Sequence, residues 1–486
     1  MPMSKARLAR RDVLLGGVAA AGLSALPSVG AAAAQQAADA TGRPPVAARK
    51  FRSTAVEDAI ARVKAHLGKT GDEAKLARMF EACFPNTLDT TVEPGEIDGL
   101  PDTFVITGDI PAMWLRDSSA QVQPYVALAK DDPALRRLLA GVIRRQTACI
   151  LIDPYANAFN KGPTGSPFQA DETEMKPEIW ERKWELDSLC YPVRLAHAYW
   201  KATGDVSPFD EAWRRAARAT VATMKAQQRK DGPGPYRNQR TTNWSPDQVP
   251  GHGFGNPIRP VGLVASLFRP SDDAALYLFL VPSNMFAVVS LRQMAQMHET
   301  ITGDAAFAAE CRALADEVDA ALKTHALTRH PIHGDIWAYE VDGYGNALFM
   351  DDANAPNLLS IPYFGYLPAD DASYRRTRAF VLSEDNPWFH AGSAASGVGS
   401  PHTPGERVWP IALTMRALTS TDPDEIRTAL RQLISTEAGT NFMHEAFDVN
   451  DPSKFTRPWF AWANTLFGEL VWRLFETRPD LLRLNG

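Results

Sequence analysis

Repeated helical segments separated by capping clusters constrain this chain more than any other feature. From about Phe51 onward, apolar side chains recur at helical spacing in roughly a dozen segments. Two of them, Leu186–Thr203 and Asn284–Thr302, are followed by Gly-Asp, where Gly can take a left-handed position and Asp can begin the next helix. Such punctuation predicts antiparallel helical hairpins, which build a bundle, a solenoid or a closed toroid when they repeat. We therefore expect an all-α protein.

Long segments rich in Pro, Gly, Trp and Asn separate the hairpins. They are Asp153–Trp184, Gly232–Pro260, His330–Leu367 and Asp385–Pro404. Their large aromatic residues are too frequent for a disordered linker, so we expect structured loops that form a cup at one end of the helices. Since no linker signal divides the chain, residues 51–486 are predicted to be one catalytic domain. A helical-repeat scaffold is the alternative, although such repeats are usually more regular and poorer in Trp.

The first 35 residues have the layout of an export signal. A basic start containing Arg10 and Arg11 precedes the apolar run Val13–Leu26, and Ala31–Ala34 offers a small-residue cleavage site. This resembles a twin-arginine signal and predicts a bacterial periplasmic or secreted protein, with residues 36–50 as a flexible linker. A retained N-terminal anchor is the alternative. The apolar run is too short to favour a membrane span, so we expect no membrane association after cleavage.

Composition excludes several classes of protein. A net charge of −6 and a pI near 6.0 argue against nucleic acid as a partner, because phosphate binding needs a clustered basic surface. The four cysteines, Cys83, Cys149, Cys190 and Cys311, lack the spacing of a zinc or redox motif. Their disulfide status stays open. We expect a monomer without a metal or other cofactor.

Two acidic motifs far apart in the chain indicate the chemistry. Arg269-Pro-Ser-Asp-Asp273 carries the adjacent acids Asp272 and Asp273, and Met443-His-Glu-Ala-Phe carries Glu445. Two carboxyl groups brought into one pocket are the minimum for cleaving a glycosidic bond, since one protonates the leaving oxygen and the other activates water or attacks. This favours a glycoside hydrolase. A structural interpretation of each motif, as helix-start acids or local ion pairs, stays open.

Other motifs could bind a sugar. Trp114 offers a flat apolar face, while Arg116 and Asp117 could grip a vicinal diol or, alternatively, pair with each other and cap a helix. Asp187 follows a charged stretch that contains Trp180 and Trp184. Such a stretch is most often a solvated helix face, yet Asp187 is its most suggestive site candidate because the pattern turns apolar just after it.

Four motifs, in order, resemble glycoside hydrolase family 125 between about residues 55 and 475. They are Trp114-Leu-Arg-Asp-Ser, Arg269-Pro-Ser-Asp-Asp, Pro282-Ser-Asn284-Met-Phe and Met443-His444-Glu-Ala-Phe. The resemblance implies an (α/α)6 toroid and an inverting, exo-acting α-mannosidase that prefers α-1,6 linkages. It also implies that Asp272 or Asp273, with Asp272 favoured, is the general acid and that Glu445 is the general base. Asn284 and His444, within the matched motifs, become candidates for substrate binding together with Trp114, Arg116, Asp117 and Asp187. The partner implied is a mannose-containing oligosaccharide or N-glycan.

Two rival functions stay open on the sequence. A helical-toroid polysaccharide lyase or sugar epimerase would keep the fold and change the chemistry. A non-catalytic glycan-binding protein would use the aromatic residues for binding and the acids for structure.

Overall fold

The structure, a computed structural model, describes residues 42–485 and is built mainly from α-helices. The helices are α1 Thr54–His66, α2 Gly71–Cys83, α3 Asn86–Thr90, α4 Leu115–Val122, α5 Pro133–Ile152, α6 Leu186–Thr203, α7 Glu211–Gln227, α8 Val281–Met297, α9 Ala305–His325, α10 Ile361–Phe364, α11 Ala372–Val381, α12 Pro410–Leu418, α13 Pro423–Ser435 and α14 Ala461–Thr477. The prediction of a mostly helical chain is confirmed.

The helices form an inner ring surrounded by outer helices. Helices α4, α6, α8 and α10 contact one another in succession, α12 contacts α14, and α14 returns to α4. Every residue of α4 and most residues of α8 and α14 are buried. By contrast, the outer helices α7 and α13 bury one face and expose the other, as amphipathic helices do. The chain is thus an (α/α)6 toroid, as the family resemblance implied.

The capping clusters act largely as predicted. Gly204 and Gly303 end their helices with φ values of 69° and 68°, the left-handed region where Gly has no steric penalty. Asp304 then begins α9, because its side chain accepts a hydrogen bond from the Phe307 amide. After Gly204 the chain instead turns first, and Asp210 rather than Asp205 caps α7.

Short antiparallel strands in the loops fix the ends of the inner helices. They are β1 Val92–Ile97, β2 Leu100–Val105, β3 Met113–Trp114, β4 Ala158–Phe159, β5 Ile179–Glu181, β6 Phe279–Leu280, β7 Leu327–His330, β8 Gly334–Trp337, β9 Glu340–Val341, β10 Ala347–Leu348, β11 Phe389–Ala391, β12 Ser396–Val398, β13 Arg407–Val408 and β14 Phe447–Asp448. The order β3-β4-β5 positions the start of α4. The pairing of Val408 with Phe447 places the Glu445 segment beside the start of α12.

Residues just before position 51 contact the helical domain. Arg43 is buried, and its guanidinium pairs with Asp89 at 2.8 Å and with Glu57 at 2.8 Å. The described part of the predicted linker therefore packs onto α1 and α3. The predicted export signal lies outside the described residues. Within residues 42–485, no helix is long and apolar enough to cross a membrane.

Candidate active site

A cavity lies where three inner helices begin. Trp114 and Arg116 belong to the start of α4, Trp409 directly precedes α12, and Phe460 directly precedes α14. The cavity and the solvent-filled space at its mouth together measure about 390 Å³. Its lining residues are Thr107, Ile110, Trp114, Arg116, Asp117, Pro270, Ser271, Asp272, Asn354, His402, Trp409, Glu445, Arg457, Phe460 and Trp462. Because helix N-termini carry partial positive charge, this end of the toroid favours acidic groups.

Asp272 forms one wall of the cavity from a strained turn. Its backbone has a φ of 68°, its amide donates to the Arg269 carbonyl at 2.9 Å, and its side chain is 26% exposed. The buried Lys183 donates from Nζ to the Asp272 carbonyl at 2.8 Å and to Asp247 at 2.7 Å. A left-handed conformation in a residue other than Gly persists only where its surroundings impose it. Here the turn and Lys183 hold the carboxyl group at the cavity.

The neighbouring Asp273 does not line the cavity. Its side chain is 3% exposed, and one oxygen lies 2.9 Å from Nδ1 of His402. Burial opposes the charge on His402, but the hydrogen bond and the negative charge of Asp273 outweigh it, with smaller contributions from Glu445 and Asp272. Together they raise the pKa of His402 to about 9. Asp273 therefore holds a cationic imidazole against the pocket, while Asp272 presents its own carboxyl group.

Glu445 lines the cavity from a different part of the chain. Its amide donates to the Thr456 carbonyl at 3.3 Å, and its Oε1 lies 3.5 Å from Nη1 of Arg457. Arg457 also donates from Nε to Asp109 at 3.1 Å, and its guanidinium lies 4.7 Å from the centre of the Phe460 ring. These contacts hold Glu445 beside the Arg457 guanidinium.

Arg116 is surrounded by carboxyl groups at the cavity floor. Its guanidinium nitrogens lie 3.5 Å from Asp117, 2.5 Å from Glu185, 3.3 Å from Asp187 and 3.2 Å from Asp272. The side chains of Glu185 and Asp187 are fully buried. One guanidinium cannot neutralise four carboxylates in a medium of low polarity, so protons must be retained among them.

The pKa values of these acids move in opposite directions. Burial raises the pKa of Asp117 and that of Asp187 to about 6, although Arg116 opposes both shifts. Burial together with the charges of Asp272 and Asp187 raises the pKa of Glu185 well above its ordinary value. Burial also opposes ionisation of Asp272. However, Arg116, a hydrogen bond with Glu185 and the charge of Lys183 hold the pKa of Asp272 below its ordinary range.

Aromatic rings complete the pocket. Trp114, Trp409, Phe460 and Trp462 all line it. Trp409 is fixed by a hydrogen bond from Nε1 to Thr403 at 2.8 Å, and the Trp462 ring lies 6.0 Å from the Arg116 guanidinium. Flat apolar faces beside carboxyl groups and a guanidinium provide what a pyranose requires, namely surfaces for its C–H faces and partners for its hydroxyl groups.

Besides Asp273, three predicted site residues lie outside the cavity. Asp187 does not line the cavity, but it accepts a hydrogen bond at 3.3 Å from Arg116, which does. Asn284 is fully buried and exchanges hydrogen bonds with the backbone of Val264 at 2.8 and 2.9 Å. These bonds connect α8 to the segment that precedes the Asp272 turn. His444 stacks on Phe455 at 3.6 Å between ring centres. Asn284 and His444 are thus placed to support the fold around the site, not to contact a sugar.

The structure adds residues that the sequence motifs did not suggest. His402 lines the pocket, and Asn157 donates from one nitrogen to Glu185 and Asp272, at 3.3 and 3.2 Å. Neither stands in a distinctive motif. Trp462 and Arg457 belong to the aromatic-rich stretch Arg457-Pro-Trp-Phe-Ala-Trp462, which is the signal that could have identified them.

No group of three or more His, Cys, Asp or Glu side chains within residues 42–485 is arranged to hold a metal ion.

Comparisons with known proteins agree with this geometry. A solved structure from Streptococcus pneumoniae, a metal-independent α-mannosidase in a non-productive complex with α-1,6-mannobiose, shares 43% identity over 88% of this chain and 100% of its own, with a TM-score of 0.84. The Meiotically up-regulated gene 157 protein of Schizosaccharomyces pombe is 40% identical over 91% of this chain and 90% of its own length. A bacterial glucoamylase complexed with acarbose shares only the fold, at 12% identity and a TM-score of 0.54 over 86% of this chain and 59% of its own. The family model for metal-independent alpha-mannosidase (GH125) matches residues 73–472, and the chain belongs to that family.

Proposed function

We propose that this protein is an exo-acting, inverting α-mannosidase that removes terminal α-1,6-linked mannose from glycans. The observation that carries the proposal is that Asp272 and Glu445, from segments far apart in the chain, line one cavity with Arg116 and four aromatic rings. The similar Streptococcus pneumoniae α-mannosidase, solved with α-1,6-mannobiose, supports the choice of sugar and linkage.

The floor of the cavity supports attack at a chain end. Arg116 and the acids Glu185 and Asp187 block one end, because both acids are fully buried behind it. A terminal sugar fits such a pocket better than the interior of a polysaccharide.

In the proposed reaction Asp272 is the general acid and Glu445 is the general base. Asp272 gives its proton to the glycosidic oxygen as the bond from that oxygen to C1 of the mannose breaks. Glu445 takes a proton from water, whose oxygen joins C1 on the opposite face of the ring and inverts its configuration. Trp114, Arg116 and Asp117 orient the sugar. A proton must be on Asp272 at that moment, although Arg116 and Lys183 favour its ionised form in the empty site.

Proton NMR of the enzyme with α-1,6-mannobiose tests this function. We expect β-mannose to appear first and to convert slowly to the equilibrium mixture. First appearance of α-mannose would overturn the role of Glu445 as the base that activates water. Saturable binding without any product would overturn the catalytic proposal and favour a glycan-binding protein.

We also propose that residues 1–35 direct export by the twin-arginine route, which would bring the enzyme to glycans outside the cytoplasm. The support is the Arg10-Arg11 pair followed by a short apolar run. Replacing both arginines by Lys in the full chain should leave the protein in the cytoplasmic fraction of a bacterial host. Unchanged export of that variant would contradict the proposal.

A further inference from the structure

The general acid proposed above has a carboxyl partner. The side chains of Glu185 and Asp272 share two donors. Asn157 Nδ2 donates to Oε1 of Glu185 at 3.3 Å and to Oδ1 of Asp272 at 3.2 Å, and Arg116 donates to both acids. Two carboxylates held together by the same donors repel each other when both are ionised, which favours one proton shared between them in a hydrogen bond from one carboxyl group to the other.

The charges around this pair require the proton. On the floor, Arg116 faces Asp117, Glu185, Asp187 and Asp272. Two further cations approach from other sides. Lys183 bonds to the Asp272 carbonyl and is already paired with Asp247 and with Glu181, and the imidazolium of His402 is paired with Asp273. Across the cavity, Glu445 has its own partner in Arg457. Four ionised carboxylates around one guanidinium would leave a large uncompensated negative charge in a buried setting, so protons stay on some of these acids.

Glu185 is the better holder of this proton in the empty site. It is fully buried, and its other contacts are Arg116, Asn157 and a hydrogen bond from the Ser188 hydroxyl at 2.8 Å. Asp272 is partly exposed to the cavity and lies near Lys183 as well as Arg116. The opposite pKa shifts of the two acids agree with this assignment.

We propose that Glu185 is the proton reservoir for the general acid, a positioning residue that supplies Asp272 with the proton it donates. The inference rests on the proposed function. In the empty enzyme the shared proton stays with Glu185, which leaves Asp272 ionised. A mannoside that fills the cavity excludes water from Asp272, and the proton crosses the hydrogen bond from Glu185 to Asp272. Asp272 then protonates the glycosidic oxygen, which keeps the electron pair of the breaking C1–O bond. After release of the products, the pair regains one proton and Glu445 loses the proton it took from water.

The test compares three variants on two substrates. Glu185→Gln keeps the size of the side chain but removes the proton reservoir. Asp187→Asn is the matched control, because it removes an equally buried acid from Arg116, and Asp187 does not share the donor Asn157 with Asp272. Asp272→Asn is the reference for loss of the acid itself. One substrate is α-1,6-mannobiose, whose leaving group needs a proton, and the other is 2,4-dinitrophenyl α-mannoside, whose leaving group does not.

We expect Glu185→Gln to lower kcat on mannobiose at least ~10-fold more than kcat on the dinitrophenyl mannoside, which is part of the ~10²–10⁴-fold that general acid catalysis contributes. We also expect the basic limb of its pH profile to move to lower pH, because the raised pKa of Glu185 no longer keeps a proton on the pair, and Arg116 and Lys183 hold the pKa of Asp272 itself below its ordinary range. The control Asp187→Asn should keep the wild-type ratio between substrates. The ratio is independent of the fraction of enzyme that is folded, so partial instability does not obscure it.

The outcomes separate this inference from the proposed function. An unchanged substrate ratio in Glu185→Gln, with a changed ratio in Asp272→Asn, would overturn the reservoir and leave the acid assignment standing. An unchanged ratio in Asp272→Asn would overturn the acid assignment itself. If Glu185→Gln does not fold, Glu185→Asp answers the question, since it retracts the carboxyl group by one methylene. An intermediate ratio in that variant supports the proposal, and a wild-type ratio refutes it.

Discussion

Removing the buried carboxylate of Glu340 should destabilise the loop from Arg269 to Tyr277, which carries Asp272. The effect should exceed that of removing a carboxylate at the surface. Glu340 is fully buried and accepts three hydrogen bonds, from Arg269 Nε at 2.6 Å, from the Leu276 amide at 3.0 Å and from the Tyr277 amide at 2.9 Å. It thereby joins both ends of the loop that carries Asp272. Breaking a buried ion pair costs about 3–5 kcal/mol, and each backbone donor left without a partner costs about 1–3 kcal/mol.

Even the lower ends of those ranges give a loss of about 5 kcal/mol for Glu340→Ala, against a total stability of about 5–15 kcal/mol. Glu340→Gln keeps one acceptor oxygen and the side-chain volume, so we expect a smaller loss, about 3 kcal/mol. In the folded Gln variant kcat should also fall, by up to about 100-fold, because small displacements of a catalytic group are costly.

Unfolding in guanidinium chloride, followed by fluorescence, measures the loss of stability. Assays on α-1,6-mannobiose measure the fall in kcat. Glu96→Ala is the matched control, since Glu96 pairs with Arg137 on the surface, where the two side chains are 59% and 52% exposed. That control should change stability by at most about 1 kcal/mol. A loss below about 1 kcal/mol in Glu340→Ala would refute the reasoning, because it would mean that Arg269 and the two amides find other partners at no cost.

Three further results are expected. Asp273→Asn should lower the pKa of His402 from about 9 toward its ordinary value, because the hydrogen bond and negative charge that raise it are weakened; NMR of the imidazole checks this. In the wild type, the stabilisation from charged His402 is complete below its ordinary pKa of about 6.5 and is lost as pH rises through about 9, so the stability difference between wild type and Asp273→Asn should shrink over that range. All four cysteines are buried and unpaired, and burial raises the pKa of Cys149 to about 12, so a thiol reagent should titrate none rapidly in the native protein and four after unfolding. A rapidly reacting thiol would contradict the packing. Prolonged incubation with EDTA should leave kcat unchanged, since no described group of side chains is placed to hold a metal; a loss restored by a divalent cation would contradict this.

The helices could be predicted well where local signals were strong. Apolar spacing predicts helices over Leu186–Thr203 and Pro423–Ser435, and these bounds match α6 and α13. The same spacing predicts a helix over Ser119–Ala129, but the chain becomes a 3-10 helix after Val122, because Pro124 lacks an amide donor and disturbs the α-helical pattern. It also predicts a helix over Glu406–Leu418, but α12 begins at Pro410, since residues 407 and 408 pair as a strand with β14. Tertiary pairing overrode local periodicity there.

The site could be predicted only in part. Trp114, Arg116, Asp117, Asp272 and Glu445 were all predicted and all line one cavity. The choice between Asp272 and Asp273 could not follow from sequence, because adjacent residues on a turn point in different directions according to backbone angles. The backbone of Asp272 has a φ of 68°, and its carboxyl group lies at the cavity. The carboxyl group of Asp273 is buried against His402.

The sequence by itself determined the helical hairpins and the residue types available for cleaving a glycosidic bond, because periodicity and capping act over a few neighbouring residues. Only the tertiary structure decided which of those residues meet. Arg116 and Asp272 are 156 positions apart, and Asn157 and Asp272 are 115 positions apart, yet each pair is within hydrogen-bonding distance. Closure of the helical ring produces these contacts. The protonation of the acids depends on the resulting burial and charge, which no local pattern encodes.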